Sequence, residues 1–566
     1  MKTARATMLG SGLVSIRCWL VALCLALFLP ALGGRQTAPD SILFNGKIFT
    51  SDAAHPYVQA LAVRGERVVA TGTTAQIEAL AGRRTKRIDL GGRTVIPGIN
   101  DAHNHLDISG ADRMDLDLKT PDPDWPEVKA AIAEAVRKGP KERFIHGDIA
   151  WKVFRDPAVN RSTLDQIAPD NAVVLETLTG HALIVNSSAL ARAGIRENEP
   201  DPMGGRYERS PDGRLTGVIR EYAAFNMKRR LSDQTSEANA VAELRKALSA
   251  AARWGITTIQ DMSNRMAPGR CVALLEKVPT PIRVRVMRMP GTTPAGRDTR
   301  EGRPAPRSSN PLITVSGTKW MLDGVPIEGT FAPRDDPATM DQFVLHEGLT
   351  FPKTEIAAML QESLNDHDPL MVHAVGYPAT VAMLDAMQFA GGPKVWATRR
   401  VRIEHGDGLT PELIPRSKAM GIVVVQNPTH FAAANLNPDL EGVFEKTKTQ
   451  PMRSLLAAGI PVALGSDGPT NPYLNIMFAS LDPNRPSEAV SREQAVVAYT
   501  LTSAYAEFAE KEKGSLVPGK LADLAVLSQD IFAVPASELP KTTSVLTMVG
   551  GKVVYDDRGL RARTSR

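Results

Sequence analysis

The chain has 566 residues, 43% hydrophobic and 23% charged, which is too long for one ordinary domain and ordinary in balance for a globular protein. Its formal charge is +5, but Lys2, Arg5 and Arg17 supply three of those charges within a 33-residue start that holds no acidic residue. The remaining charge of about +2 gives no case for nucleic acid or a membrane surface as partner.

The basic start runs into an apolar stretch over 18–32 (CWLVALCLALFLPAL) and then Gly33-Gly34, which predicts a secretory signal peptide over 1–33 cut near Ala31-Leu32-Gly33. The stretch falls short of the roughly twenty residues that comfortably span a bilayer, so no stable membrane association is expected after cleavage. Leu23 is too large to precede a lipidated Cys24. The expected location is therefore secreted or periplasmic. Of three cysteines only Cys271 survives removal of the signal, so the mature chain has no internal disulfide, and a metal site must draw on histidines and carboxylates.

Residues 40–92 read as short strands punctuated by turns such as Asn45-Gly46 and Gly65, and ADLAVLS (522–528) and VLTMVGGKVVYDD (545–557) have the same character. These segments predict a composite β-sandwich from 34–97 plus 511–566, with two independent ornaments as the alternative. Between them lie eight short apolar runs. They begin with TVIPGINDAHNH, ITTIQDM, IRVRVMRM and ITVSGTKWMLDG, and continue with LMVHAV, VRIEHGD, IVVVQNP and PVALGSD. Helical segments lead into several of them; in Glu237–Ala252 the apolar Val241, Leu244, Leu248 and Ala251 recur at three- and four-residue intervals. The expected fold is α/β, a (β/α)₈ TIM-like barrel over 98–510. The connection after the first run is about 145 residues long, too long for a barrel loop, and predicts an inserted lid or specificity subdomain over 107–250. Residues 291–310 read as a surface loop without chemistry.

Polar residues collect at the ends of these runs. His103 and His105 close the first and, being two apart on a strand, project together. Lys319 sits on the fourth run, His373 on the fifth, His405 on the sixth and Asp467 after the eighth. A barrel would converge all of them on one mouth. Neutral imidazoles suit Zn²⁺ or a similar divalent ion, one or two per chain, and Asp467 adds an anionic ligand and a base. Lys319 is the odd member, since an ammonium is repelled by metal ions. Carboxylation of its amine by CO₂ would make it an anionic oxygen ligand bridging two metals; a plain lysine would point to a single metal or an electrostatic role.

Weaker readings attach to other polar residues. Glu221 is a lesser functional candidate, and His430, just past the seventh run, reads as an exposed loop histidine, with a reach to the barrel mouth as the alternative. His146 and Asp148 read as structural. Glu404 should point opposite to its neighbour His405 and support the metal site by hydrogen bonding to its ligands. Arg399, Arg400 and Arg402 read as a solvated edge, with one of them available to bind a carboxylate.

Taken together, PGINDAHNHLD, GHALIVNSSAL, LTGVIREYA, RIEHGD, GSDGPTNP and GSLVPGKLADLAVLS resemble the amidohydrolase superfamily over nearly the whole mature chain, specifically its YtcJ-like branch, amidohydrolase type 3. The resemblance implies a metal site of His103, His105, Lys319, His373, His405 and Asp467. It also implies a substrate contact at His181, for which a capping role near Asn186 is the alternative. The implied reaction is hydrolysis of a small, non-peptide amide C–N bond by a metal-bound hydroxide, with Asp467 as general base and then acid. An ester or lactone hydrolase on the same site, or a catalytically silent periplasmic binding or regulatory protein, are the alternatives. The expected partner is a small-molecule substrate, and a homo-oligomer is compatible with the sequence.

Overall fold

Eight parallel strands form one continuous sheet in chain order. They are β1 (Ile99–Asn104), β2 (Ile256–Ser263), β3 (Arg283–Arg288), β4 (Ile313–Met321), β5 (Leu370–Ala374), β6 (Arg402–His405), β7 (Val423–Gln426) and β8 (Val462–Leu464). The computed structural model describes residues 38–106, 113–140, 143–325, 348–436, 438, 441–557, 560 and 562–563; the predicted signal lies outside them. Helices follow most strands, so the protein is an α/β TIM-like barrel. The barrel is drawn shut where the Asp467 N–H donates to the His103 carbonyl at 2.9 Å. Gly465 permits that approach, because a Cβ there would stand 2.5 Å from the His103 backbone nitrogen.

Period-two alternation decides which side chains enter the barrel. On β7, Val424 faces the core shared with the helices, while Val423 and Val425 pack inward with Ala102 and Ala463. The helix Glu237–Arg253 starts where the Ser236 side chain accepts from the Asn239 N–H, and it buries Ala240, Leu244, Leu248 and Ala251; Val241 is only partly covered. The loop expected over 291–310 contains a small hairpin, Thr292–Thr293 with Gly296–Arg297. The Arg297 side chain is covered there, stacked on Trp320 and paired with Glu355 and Glu362.

Two further sheets interleave the ends of the chain. In one, Thr94–Pro97 pairs with Lys47–Phe49 on one side and Leu524–Leu527 on the other; in its companion, Lys86–Asp89 pairs with Ser41–Phe44 and Ala562–Arg563. Leu43, Leu61, Val95, Leu524 and Val545 fill the space between them. The long segment between β1 and β2 carries a six-stranded sheet, centred on Phe144–Ile149, Val173–Thr177 and Ala182–Val185. Both its faces are covered, Val173 and Leu175 packing in one apolar cluster and Val174 in another. Among the described residues no helix is long and apolar enough to cross a membrane.

Candidate metal centre

The barrel brings the C-terminal ends of β1, β4, β5, β6 and β8 to one mouth. His103, His405 and Asp467 each offer a ligand atom there, all within 4.8 Å of one another. Asp467 is the hub. Its carboxylate lies 3.4 Å from His103 Nε2, 3.2 Å from His105 Nε2 and 3.7 Å from His405 Nε2. Lys319 Nζ is 2.8 Å from His103 Nε2, and the His373 ring stands edge-on to His405 with centroids 4.5 Å apart. The six residues named from sequence thus meet in one place.

Local backbone makes this possible. His405 at φ 70° and Asp467 at φ 38° occupy the left-handed region that bulky residues avoid, at a cost on the order of 1–3 kcal/mol each. The turn at His405 breaks strand alternation. Glu404 lies beneath the site on the same strand face as Arg402, and its carboxylate accepts from His103 Nδ1 at 2.7 Å, the supporting hydrogen bond expected of it.

Each imidazole has one nitrogen committed elsewhere or left without a partner. Nδ1 of His103 is held by Glu404 and Nδ1 of His105 by the Met262 carbonyl at 2.8 Å, so both present Nε2 to the site. Nε2 of His373 lies near the Gly324 carbonyl (3.3 Å) and Asp323 (3.5 Å). The buried Nδ1 atoms of His373 and His405 have no hydrogen-bond partner. Buried imidazole nitrogens without a hydrogen-bond partner fit a bound cation, which would take up lone pairs that the protein itself leaves open.

Electrostatics agree. Burial pushes His103 down to about 4, against the pull of Asp467, and holds His373 and His405 well below the usual imidazole range. Burial also lowers the Lys319 ammonium to about 8. Burial alone would raise Asp467, but the surrounding histidines, His103 first, hold its carboxyl well below its ordinary value.

Below the site the barrel interior is polar. Arg402 is not a solvated edge residue but wholly buried: Nε donates to Glu404 at 2.8 Å, Nη1 to Gln260 at 2.6 Å and Nη2 to the Ala102 carbonyl at 2.6 Å. The guanidinium fixes the carboxylate that fixes His103. Burial raises Glu404, but Arg402 and then His103 outweigh it and hold the carboxyl at about 2. Arg400 pairs with Glu510 and stacks on Tyr505. His430 is not an exposed loop residue either: its Nε2 donates to the Asp467 carbonyl at 2.9 Å and its ring stacks on His405.

A cavity of about 390 Å³ opens over the centre. Lys319, His373, His405 and Asp467 form its floor. The inserted sheet supplies the opposite wall, including His146, Asp148, Glu176 and His181. His181 lines the cavity rather than capping at Asn186, which itself caps Ser187–Arg192. Sequence reasoning missed Asp323, whose carboxylate accepts from the Val375 and Gly376 N–H groups and stands beside His373. It missed too the six-residue network of Arg402, Gln260, Asn100, Arg285, Glu507 and Lys513, which runs down the barrel axis.

The sequence pattern of the amidohydrolase family matches residues 86–555. The chain is 28% identical over 551 residues to an N-substituted formamide deformylase of Arthrobacter pascens, covering 92% of this chain and 99% of that one. It is 27% identical to the putative amidohydrolase YtcJ of Bacillus subtilis, covering 91% and 99%. An uncharacterized metal-dependent hydrolase from Pyrococcus horikoshii shares the fold with a TM-score of 0.65 at 19% identity, over 88% of this chain and 99% of that one.

Proposed function

The chain belongs to the amidohydrolase family, in its YtcJ-like branch, and from that premise we propose that it hydrolyses a small, non-peptide amide C–N bond with a divalent metal held at the barrel mouth. The observation that carries this reading is the meeting of His103, His405 and Asp467 within 4.8 Å beside two buried histidine nitrogens without partners. His103, His105, His373, His405 and Asp467 would hold Zn²⁺, one or two ions per chain. The Lys319 amine, carboxylated by CO₂, would add an oxygen ligand. The cation supplies Lewis acidity toward the substrate carbonyl and acidifies water.

The protein's own residues do the rest. Asp467 takes the proton from the attacking water and delivers it to the leaving nitrogen, so that water and amide become acid and amine. Glu404 and the Met262 carbonyl hold the rings of His103 and His105 in the orientation that turns Nε2 inward. The inserted sheet closes the opposite wall and sets substrate shape. The similar deformylase supports an N-substituted amide as substrate class. The basic and apolar start supports export to a secreted or periplasmic location.

The test is hydrolysis of a panel of N-substituted formamides, acyl amides and esters by purified mature protein, as loaded and after chelation. Amide turnover that disappears on chelation and returns with Zn²⁺ supports the reading. Turnover of esters alone would replace it with an esterase, and stoichiometric metal without turnover of any panel member would replace it with a binding protein.

A further inference from the structure

Asp467 carries more of the proposed chemistry than any other side chain, yet its backbone sits in the left-handed region, at φ 38°, where a residue with a Cβ stays only when its surroundings hold it. The strand that leads to it, Val462–Leu464, is short and stops before Gly465. What fixes the segment is a set of hydrogen bonds to other parts of the barrel. Just before Asp467, the Ser466 N–H and Oγ both donate to the Asp101 carboxylate, at 2.8 and 2.6 Å, and Asn104 Nδ2 donates to Ser466 Oγ at 2.9 Å. At Asp467 itself, the N–H donates to the His103 carbonyl at 2.9 Å. Its carbonyl is the remaining backbone group, and it accepts from His430 Nε2 at 2.9 Å.

His430 is itself held in place. It lies in the first turn of the short helix Thr429–Ala434, and its N–H donates to the Asn427 carbonyl at 2.8 Å. On one side of it the Thr429 N–H donates to Asn475 Oδ1 at 2.9 Å; on the other the carbonyl of the buried Phe431 accepts from Asn484 Nδ2 at 2.9 Å. Asn475 is wholly buried in the helix Pro472–Leu481, so the turn that presents the imidazole is tied to the segment that follows Asp467. The ring stacks on His405, with planes 27° and centroids 5.4 Å apart. A carbonyl oxygen can only accept, so Nε2 carries a hydrogen, and the bond is made whether or not the second ring nitrogen is protonated. The same Nε2 is 3.8 Å from the Asp467 carboxylate, beyond a hydrogen bond, so the contact is with the backbone.

We propose that His430 is a positioning residue for the hydrolysis: by donating to the Asp467 carbonyl it holds the left-handed turn that points the carboxylate at His103, His105 and His405. The inference rests on the reading of Asp467 as proton carrier and adds the group that aims it. Without the bond, a strained residue is free to relax toward extended backbone, which swings its carboxylate off the centre. A misplacement on the order of 1 Å costs roughly 10²-fold in rate.

The test measures kcat and KM on the panel amide that wild type turns over fastest, Zn²⁺ affinity by chelator competition, and thermal melting, in wild type, His430→Phe, His430→Ala and His430→Gln. The first keeps a ring against His405 without the donor, the second removes both, and the third sets a donor close to the place of Nε2. In His430→Phe and His430→Ala, kcat per metal-loaded chain should fall about 10- to 100-fold with KM little changed, and His430→Gln should recover most of the loss. Added to Asp467→Asn, where no base is left to aim, the same substitution should cost nothing further in kcat. A merely structural role would instead lower the melting temperature, leave kcat per folded, metal-loaded chain alone and gain nothing from the Gln donor. Wild-type kcat in the variants without a donor, a loss undiminished in His430→Gln, or a loss repeated in full on Asp467→Asn would overturn the assignment; if His430→Phe does not fold, His430→Ala decides. If wild type hydrolyses no panel member, the hydrolase reading fails and the positioning is judged by Zn²⁺ affinity alone. Binding about tenfold weaker without the donor and restored in His430→Gln then supports it, and unchanged affinity overturns it. A wild type that binds no Zn²⁺ sinks both.

Discussion

His103 Nδ1 lies 2.7 Å from the Glu404 carboxylate, and neither side chain reaches solvent. The carboxylate is in turn gripped by Arg402, so two buried groups in series aim one imidazole. Glu404→Gln keeps an acceptor but loses the charge. It should weaken metal binding about 10- to 100-fold in a chelator-competition titration. Arg402→Ala strands a buried carboxylate and should cost on the order of 3–5 kcal/mol in denaturant unfolding. Wild-type affinity and stability in both variants would show the series to be idle.

Asp467 lies within 4 Å of four histidines, His103, His105, His405 and His430, and its carboxylate lies at the cavity floor. Asp467→Asn preserves shape and one oxygen ligand while removing the base. Turnover should fall by roughly 10²–10⁴-fold, as for loss of a general acid–base, with much of the bound metal retained. Full turnover in this variant would exclude Asp467 as the proton carrier.

Lys319 stands 2.8 Å from His103 Nε2 in a dry setting, a poor place for a free ammonium beside a cation. Conversion to a carbamate reverses its sign. Metal content per chain, measured on protein expressed with and without bicarbonate, should rise with bicarbonate, and should drop to one ion or none in Lys319→Ala. Equal metal in all samples would leave Lys319 a plain amine.

The inserted sheet has its own pH dependence. Burial raises Glu176, but Arg265 and Lys228 outweigh it and hold its carboxyl well below the usual range. A depressed carboxyl stabilises the fold at every pH above its unfolded value of roughly 4.3, and the stabilisation is lost as pH falls through the folded value. His146 has the opposite sign: burial lowers it, but Asp115 and Glu176 more than compensate and raise it. Its contribution is complete below an unfolded pKa of roughly 6.5 and fades as pH rises through the raised folded value. Melting temperature should therefore fall steeply in acid, and Glu176→Gln should flatten that acid limb while lowering the plateau. An unaltered acid limb would show that the Glu176 cluster does not govern it.

Much of this was legible in the sequence because the barrel writes itself in short apolar runs, and the candidate ligands sit at the ends of them. His103, His105, His373 and His405 stand out as polar residues at the ends of buried strands. What escaped was whatever depends on a broken alternation or a partner far along the chain. His405 reaches the mouth next to the inward-facing Glu404 because it takes a left-handed turn, which no periodicity announces. Arg402 looked like part of an arginine-rich edge, yet it shares a strand face with Glu404 two residues on, and that spacing was the available signal. His430 reaches the Asp467 carbonyl from the end of a neighbouring strand, 37 residues away.

The most direct test of a metal-dependent amidohydrolase is a titration. Chelator-stripped mature protein is given Zn²⁺ in known ratio, and hydrolysis of an N-substituted formamide is followed at each step. The rate should start near zero, climb with added metal and level off at one or two ions per chain. Hydrolysis that persists in the stripped protein, or metal bound in full stoichiometry without any hydrolysis, would contradict the role assigned to the His103, His405 and Asp467 centre.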